Sequence, residues 1–141
     1  MVYHFKVHKE AGGYWAECVE LEGCQTQGDT LEELKSNAVE ALNLFLAEPE
    51  ETGVVFPLPQ RKKKDSKLLQ VPVEPGIALS LMLKTLRAKR KLTQRKTADL
   101  LGFANIYSYQ KLESPKTSNP ELKTLKKLKS VFPELQLDEL F

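Results

Sequence analysis

The sequence predicts an α+β chain in two parts, and three observations predict it. The opening stretch "VYHFKVHK" (2–9) alternates Tyr3, Phe5 and Val7 against His4, Lys6 and His8, the period-2 pattern of a half-buried strand. Helix-period apolar stripes entered through good capping residues follow at 29–48 and again after residue 76. The net charge of +2 conceals a strong division. Residues 1–60 carry a balance of −8, residues 61–76 of +3 and residues 77–141 of +7. An acidic front and a basic back suggest two modules with different partners.

The first module spans residues 1–75. After the first strand, "AGG" (11–13) supplies turn residues and "YWAECVEL" (14–21) reads as a second strand, so the pair suggests an antiparallel hairpin. "EGCQTQG" is a loop or short third strand. In "GDTLEELKSNAVEALNLFLAE", Thr30 and Glu33 stand three apart as a capping box. Leu31, Leu34, Ala38, Leu42 and Phe45 form a stripe that packs on the sheet, and Pro49 stops the helix. "KLLQVPV" (67–73) is a last strand, placed at an edge by Pro72. The order is β-β-β-α-β, with one helix on one face of a small mixed sheet.

Several function classes lose support here. No run approaches the ~18 apolar residues of a membrane span, and the N-terminus lacks the apolar core of a signal peptide, so a cytoplasmic protein with no membrane partner is the expectation. Cys18 and Cys24 make neither a CxxC pair nor a disulfide framework. With His4 and His8 they match no familiar zinc spacing. Cys18 is expected as a small buried hydrophobe and the histidines on the strand's wetter face, with no metal and no cofactor.

"GGYWAECVELEGCQTQGDTLEELKSNAVEAL" resembles the signature region of HicB-type antitoxins over about residues 3–75: a Gly–aromatic hairpin, then "GC.T.GDT.EE...NA.EAL". The resemblance implies a partial ribonuclease-H-like fold that binds and inhibits a small HicA-type toxin, a double-stranded-RNA-binding-like protein that cuts mRNA using a histidine. Ribonuclease-H chemistry itself needs carboxylates converging on two metal ions, one from the first strand. "VYHFKVH" has none, and Asp29 reads as helix-entry chemistry, so no catalytic residue and no enzyme activity are expected. The acidic residues read either as solvated surface or as a face complementary to a basic partner. With the resemblance, Glu17, Glu20 and Glu22 become candidate toxin contacts. Trp15 is a candidate anchor or a core residue.

"PLPQRKKKDSK" (57–67) carries the basic run Arg61–Lys64 and reads as solvated linker. The second module spans residues 76–141. Leu79, Met82, Leu83 and Leu86 share one helical face; Thr93 caps "QRKTADLL", turning Ala98 and Leu101 inward. Gly102 suits the left-handed position that ends a helix sharply, and Asn105 caps "IYSYQKLE", in which Tyr109 and Leu112 face inward. Asn119, Pro120 and Glu121 mark the start of a further helix whose stripe is Leu122, Leu125, Leu128 and Phe132.

These short helices with a T-Q…A…L-G turn resemble the Cro/phage-repressor-like helix-turn-helix family over about residues 79–132. The resemblance implies that the helix from Asn105 enters the DNA major groove, N-terminal residues first. Gln94 would contact phosphate and orient its neighbour. Ile106, Tyr107 and Lys111 would approach base edges, Ile106 through a thymine methyl, while Lys111 or Gln110 would hydrogen-bond guanine or adenine. Ser108 lies on the same leading turn, and Glu113 matches an acidic structural residue. The family's turn "G-V-S" is here the longer "G-F-A-N", which moves the cap to Asn105.

"FPELQLDELF" (132–141) packs back on the domain or joins two subunits; paired DNA half-sites give a homodimer or higher oligomer an independent motive. The expected function is an antitoxin that neutralises a HicA-type toxin and, through operator DNA, autorepresses its operon. The alternatives are a stand-alone transcription regulator whose front module senses a ligand, and a nuclease.

Overall fold

The structure, a computed structural model, describes residues 1–48, 54–60 and 67–141. The expected stop at Pro49 and the basic run Arg61–Lys64 lie outside the described residues. Of the described residues, 1–48, 56–60 and 67–74 form one compact unit, and 54–55 and 75–141 a second.

The first unit contains strands β1 (Val2–Glu10), β2 (Gly13–Cys18), β3 (Gln25–Gly28) and β4 (Leu68–Pro72), with helix α1 (Leu31–Ala47) between β3 and β4. The strand order is β3-β2-β1-β4 and every pairing is antiparallel. The expected mixed sheet is therefore corrected: β4 runs against β1, Val2 opposite Pro72 and Lys6 opposite Leu68. Pro72 stands on an edge strand, where its missing N–H interrupts no ladder.

Alternation decides the faces. Tyr3, Phe5, Ala16 and Val71 are buried on the side that α1 covers, and burying each large apolar side chain contributes about 1.5–3 kcal/mol. The capping bond forms, Glu33 N–H donating to Thr30 Oγ1 (3.1 Å), while the Glu33 carboxylate reaches one residue past the cap to the N–H of Asp29 (3.2 Å). The helix lies against β3 so closely that a Cβ on Gly28 would stand 2.6 Å from the Leu34 nitrogen. Two asparagines stitch α1 to the sheet: Asn37 donates to the Gln27 carbonyl (2.8 Å), and Asn43 donates to that of Pro72 and accepts from the N–H of Glu74.

The buried stripe of α1 is Leu34, Ala38, Leu42 and Leu46. Leu31 is exposed at the helix's first position beside the edge strand, and Phe45 is half-buried, its ring 5.5 Å from that of Phe56. A second correction concerns His4, expected on a wet face and only 4 % exposed. The cause is Glu20, whose carboxylate accepts from the His4 backbone N–H (2.9 Å) and sits 2.7 Å from Nδ1.

In the second unit, helices α2 (Pro75–Lys89), α3 (Gln94–Leu100), α4 (Ile106–Glu113) and α5 (Leu122–Val131) precede a 3-10 turn at Leu137–Leu140. α4 packs on both α2 and α3. Buried Leu79, Leu83, Ala98, Leu101, Tyr109, Leu112, Leu128 and Phe132 make the core. α5 begins later than Asn119–Pro120 suggests: its cap is Glu121, in extended conformation and without a side-chain capping bond. Ser118 is buried, its N–H held by the Ser114 carbonyl and its own carbonyl 2.6 Å from where a Gly76 Cβ would stand, so the preceding turn is fixed before a helix can start. Leu122 then falls at the first helical position and is 84 % exposed rather than part of the stripe. Leu135 and Leu140 are buried, whereas Phe141 is exposed.

Candidate functional site

Each unit presents one surface of interest. On the sheet, the residues alternating away from α1 are Lys6, His8, Trp15, Glu17, Gln25 and Gln27, brought side by side by the pairings Lys6–Glu17, His8–Trp15, Trp15–Gln27 and Glu17–Gln25. Directly opposite residues on one face touch. Here the His8 and Trp15 rings stack with centroids 4.1 Å apart and planes 15° from parallel, and His8 Nε2 lies 3.2 Å from Glu17 Oε1. Trp15 is half-buried, neither core nor projecting, and with Glu10, Gln25 and Gln27 lines a shallow groove.

The four residues singled out on this module separate. Trp15 and Glu17 share the open face. Glu22 is exposed in the β2–β3 connection. Glu20 is turned inward, its side chain 3 % exposed and committed to His4, with the Gln60 N–H donating to it at 3.2 Å. Burial pushes the Tyr3 hydroxyl pKa upward, helped by the Cys18 and Glu20 charges; that hydroxyl donates to the Pro57 carbonyl (2.8 Å).

In the second unit the local chemistry builds a pair of capped helices. Thr93 Oγ1 accepts from Lys96 N–H (3.0 Å) at the start of α3. At its end Gly102 adopts φ +75°, with Phe103 N–H donating to the Ala98 carbonyl and Gly102 N–H to that of Asp99. These two bonds satisfy orphan carbonyls in the Schellman pattern and reverse the chain. Asn105 Oδ1 then accepts from Ser108 N–H (3.1 Å), opening α4.

Beneath this pair lies a buried polar cluster. Arg87 on α2 donates through Nε and Nη2 to the two oxygens of Glu113 at the end of α4 (2.8 and 2.6 Å), and through Nη1 to the Leu92 carbonyl (2.9 Å). Glu113 is 2 % exposed. The bidentate bond holds Arg87 charged, moving its pKa upward. Burial, reinforced by Glu113, pushes the adjacent Tyr109 hydroxyl up. Gln94 Nε2 reaches Glu113 at 3.4 Å, and its Oε1 accepts from Gln110 Nε2 (3.2 Å). The seven residues expected at a nucleic-acid surface therefore divide by role. Gln94 and Gln110 bridge α3 to α4, Asn105 and Ser108 form the cap, and Ile106 is half-buried. Tyr107, 70 % exposed, and Lys111, also exposed, stand four apart on one helix face.

Part of the basic balance is used within the unit. Arg90 pairs with Glu134 (2.7 Å), donates to the Val131 carbonyl and lies over the Phe132 ring, and Lys129 donates to the carbonyls of Pro133 and Leu135. Arg95, Lys96 and Lys111, around the α3–α4 pair, are exposed. Among the described residues no cluster of His, Cys, Asp and Glu is arranged to hold a metal, and no helix is long and apolar enough to cross a membrane.

The molecule is thus a two-unit α+β protein, a four-stranded antiparallel sheet with one covering helix followed by a helical unit. No family model matches it. The chain is 38 % identical over 68 residues to UPF0150 protein ssr1765 of Synechocystis sp., covering 40 % of this chain and 86 % of that protein. On that match the chain belongs to the UPF0150 protein family. A second Synechocystis sp. protein, UPF0150 protein ssl0738, is 46 % identical over 37 residues, 26 % of this chain and 51 % of its own. The chain is also distantly similar to antitoxin HicB of Pseudomonas fluorescens, 25 % identical over 123 residues, 77 % of this chain and 84 % of that protein.

Proposed function

We propose that this chain is an antitoxin and autorepressor. The observation that carries the reading is the similarity to antitoxin HicB: an alignment of 123 residues is longer than either unit and runs across both. The first unit binds and neutralises a small, basic, HicA-type mRNA-cleaving toxin without catalysis of its own. Its open sheet face, with Trp15 and Glu17, and the exposed Glu22 are the contacts suited to a cationic partner. Glu20 acts behind them by fixing β1 to the β2–β3 connection.

The second unit is a helix-turn-helix that grips operator DNA. α3 and α4, joined through Gly102, supply the scaffold. Tyr107 and Lys111 meet base edges, Ile106 offers an apolar contact, and Arg95 and Lys96 supply the cationic surface that phosphate attraction needs. Gln94 and Gln110 act as a linked pair, so neither reads DNA independently. Two copies bind paired half-sites as a dimer or higher oligomer, within the cytoplasm.

The full-length protein tests both halves at once. Co-expression with the neighbouring reading frame is expected to relieve that frame's toxicity, and the protein is expected to retard DNA from upstream of its own gene in a salt-dependent manner. A neighbour that is harmless alone and fails to co-purify would overturn the first half. Equal retardation of upstream and unrelated DNA would overturn the second.

A further inference from the structure

We infer that Cys18 and Cys24 are a redox-responsive dithiol that closes into an intramolecular disulfide across the β2–β3 pair. The inference is independent of toxin and DNA binding. Both cysteines are free and buried. The β2–β3 register pairs Glu17 with Gln25, so the next position outward sets Cys18 directly opposite Cys24, and Cys18 N–H donates to the Cys24 carbonyl at 2.8 Å. Opposed residues bonded in this way stand about 5.5 Å apart at Cα. That spacing lies inside the window of about 4.4–6.8 Å that a disulfide spans. Opposed residues also project to the same face, which sets the two side chains beside one another.

Two further features make the pair reactive rather than inert. Cys18 and Cys24, 7 % and 2 % exposed, border a solvent-open groove with Lys6, Glu22 and Gly23, so only a thin layer separates them from a small oxidant. Hydrogen bonding between the thiols lowers the pKa of Cys18, against burial and the Glu20 charge, and raises that of Cys24. Cys18 is also the more exposed of the two, and this makes it the attacking sulfur and Cys24 the resolving one. Intracellular disulfides of this kind are transient and sensing rather than structural.

The oxidant is a hydroperoxide, with hydrogen peroxide the simplest. The Cys18 thiolate attacks one peroxide oxygen, breaking the O–O bond; a sulfenic acid forms and hydroxide leaves, taking up the proton Cys18 had lost. The Cys24 sulfur then attacks the sulfenic sulfur, and its proton departs with the sulfenic hydroxyl as water. The dithiol loses two electrons, the peroxide gains them, and two waters result. The disulfide ties the ends of the connection that carries Glu20 and Glu22, and exchange with a small thiol reopens it.

The test uses the intact chain and equimolar hydrogen peroxide, followed by unfolding, alkylation and mass spectrometry. The expected product has lost the mass of two hydrogens and resists alkylation at both cysteines. Its fragments, after cleavage at Glu20 or Glu22, stay joined until a reductant is added. Cys24→Ser is expected to leave Cys18 trapped by a sulfenic-acid reagent. Full alkylation of both cysteines after peroxide, over-oxidation of Cys18 with Cys24 still a thiol, or links only between separate copies would each overturn the proposal, whether or not the variant folds.

Discussion

Both units bury a glutamate against a basic side chain, but the partners differ in kind. In the sheet unit Glu20 faces His4, with carboxylate and imidazole side chains 3 % and 5 % exposed. In the helical unit Glu113 faces Arg87, 2 % and 21 % exposed. An imidazole is able to sit neutral; a guanidinium is not. The sheet unit thus holds its carboxylate mainly through donors, including the backbone N–H groups of His4 and Gln60. The helical unit holds its carboxylate through a permanent cation that also ties α2 to α4. Inward acids support the surfaces, and residues beside them such as Glu22 and Lys111 stay exposed.

Glu113→Ala should be the most damaging change to this arrangement, costing about 3–5 kcal/mol because Arg87 keeps its charge with no counter-ion. Denaturant unfolding followed by a probe in the helical unit checks it. Glu20→Ala should cost less, about 1–3 kcal/mol for donors left unsatisfied, and should appear in the sheet unit's transition; equal losses in the two variants would erase the distinction drawn here. Gly102→Ala follows at about 1–2 kcal/mol, the price of a left-handed side-chain residue. No contact beyond the adjacent residues adds to that, since nothing else lies within 4 Å of the new Cβ. Smallest in stability are Tyr107→Ala and Lys111→Ala, each within about 0.5 kcal/mol. Both should nonetheless weaken binding to upstream DNA in a gel shift, and unchanged affinity in both would exclude α4 as the reading helix.

Local chemistry made much of this legible from sequence. The caps at Thr30, Thr93 and Asn105 and the positive φ at Gly102 depend on residues within four positions of each other, so short windows contain all the information. The misses share a different cause. His4 alternates onto the face that ought to be wet, and it is met there by Glu20, distant in sequence and itself held by the Gln60 N–H. Leu31 and Leu122 fit their stripes by spacing yet sit at helix starts, where the neighbouring turn that would cover them is absent. Asn43 offered no pattern, and Asn37 stood in the quoted motif without a role; their part as stitches emerges only once Gln27 and Pro72 are placed beside α1. Glu113 was readable as structural, but its Arg87 partner, 26 positions earlier, was not.

The pairing of β1 with β4 has a consequence for synthesis. β1 is made before its second neighbour and waits for it until Leu68–Pro72 has been made, with the whole of α1 in between. A nascent chain that has passed α1 but not reached β4 can already close the β1–β2 hairpin and wind α1, yet one long flank of β1 still offers unpaired N–H and C=O groups to any passing strand. Truncated translation products of this message should accordingly be the sticky ones, and adding the last five residues of the sheet should abruptly end that hazard.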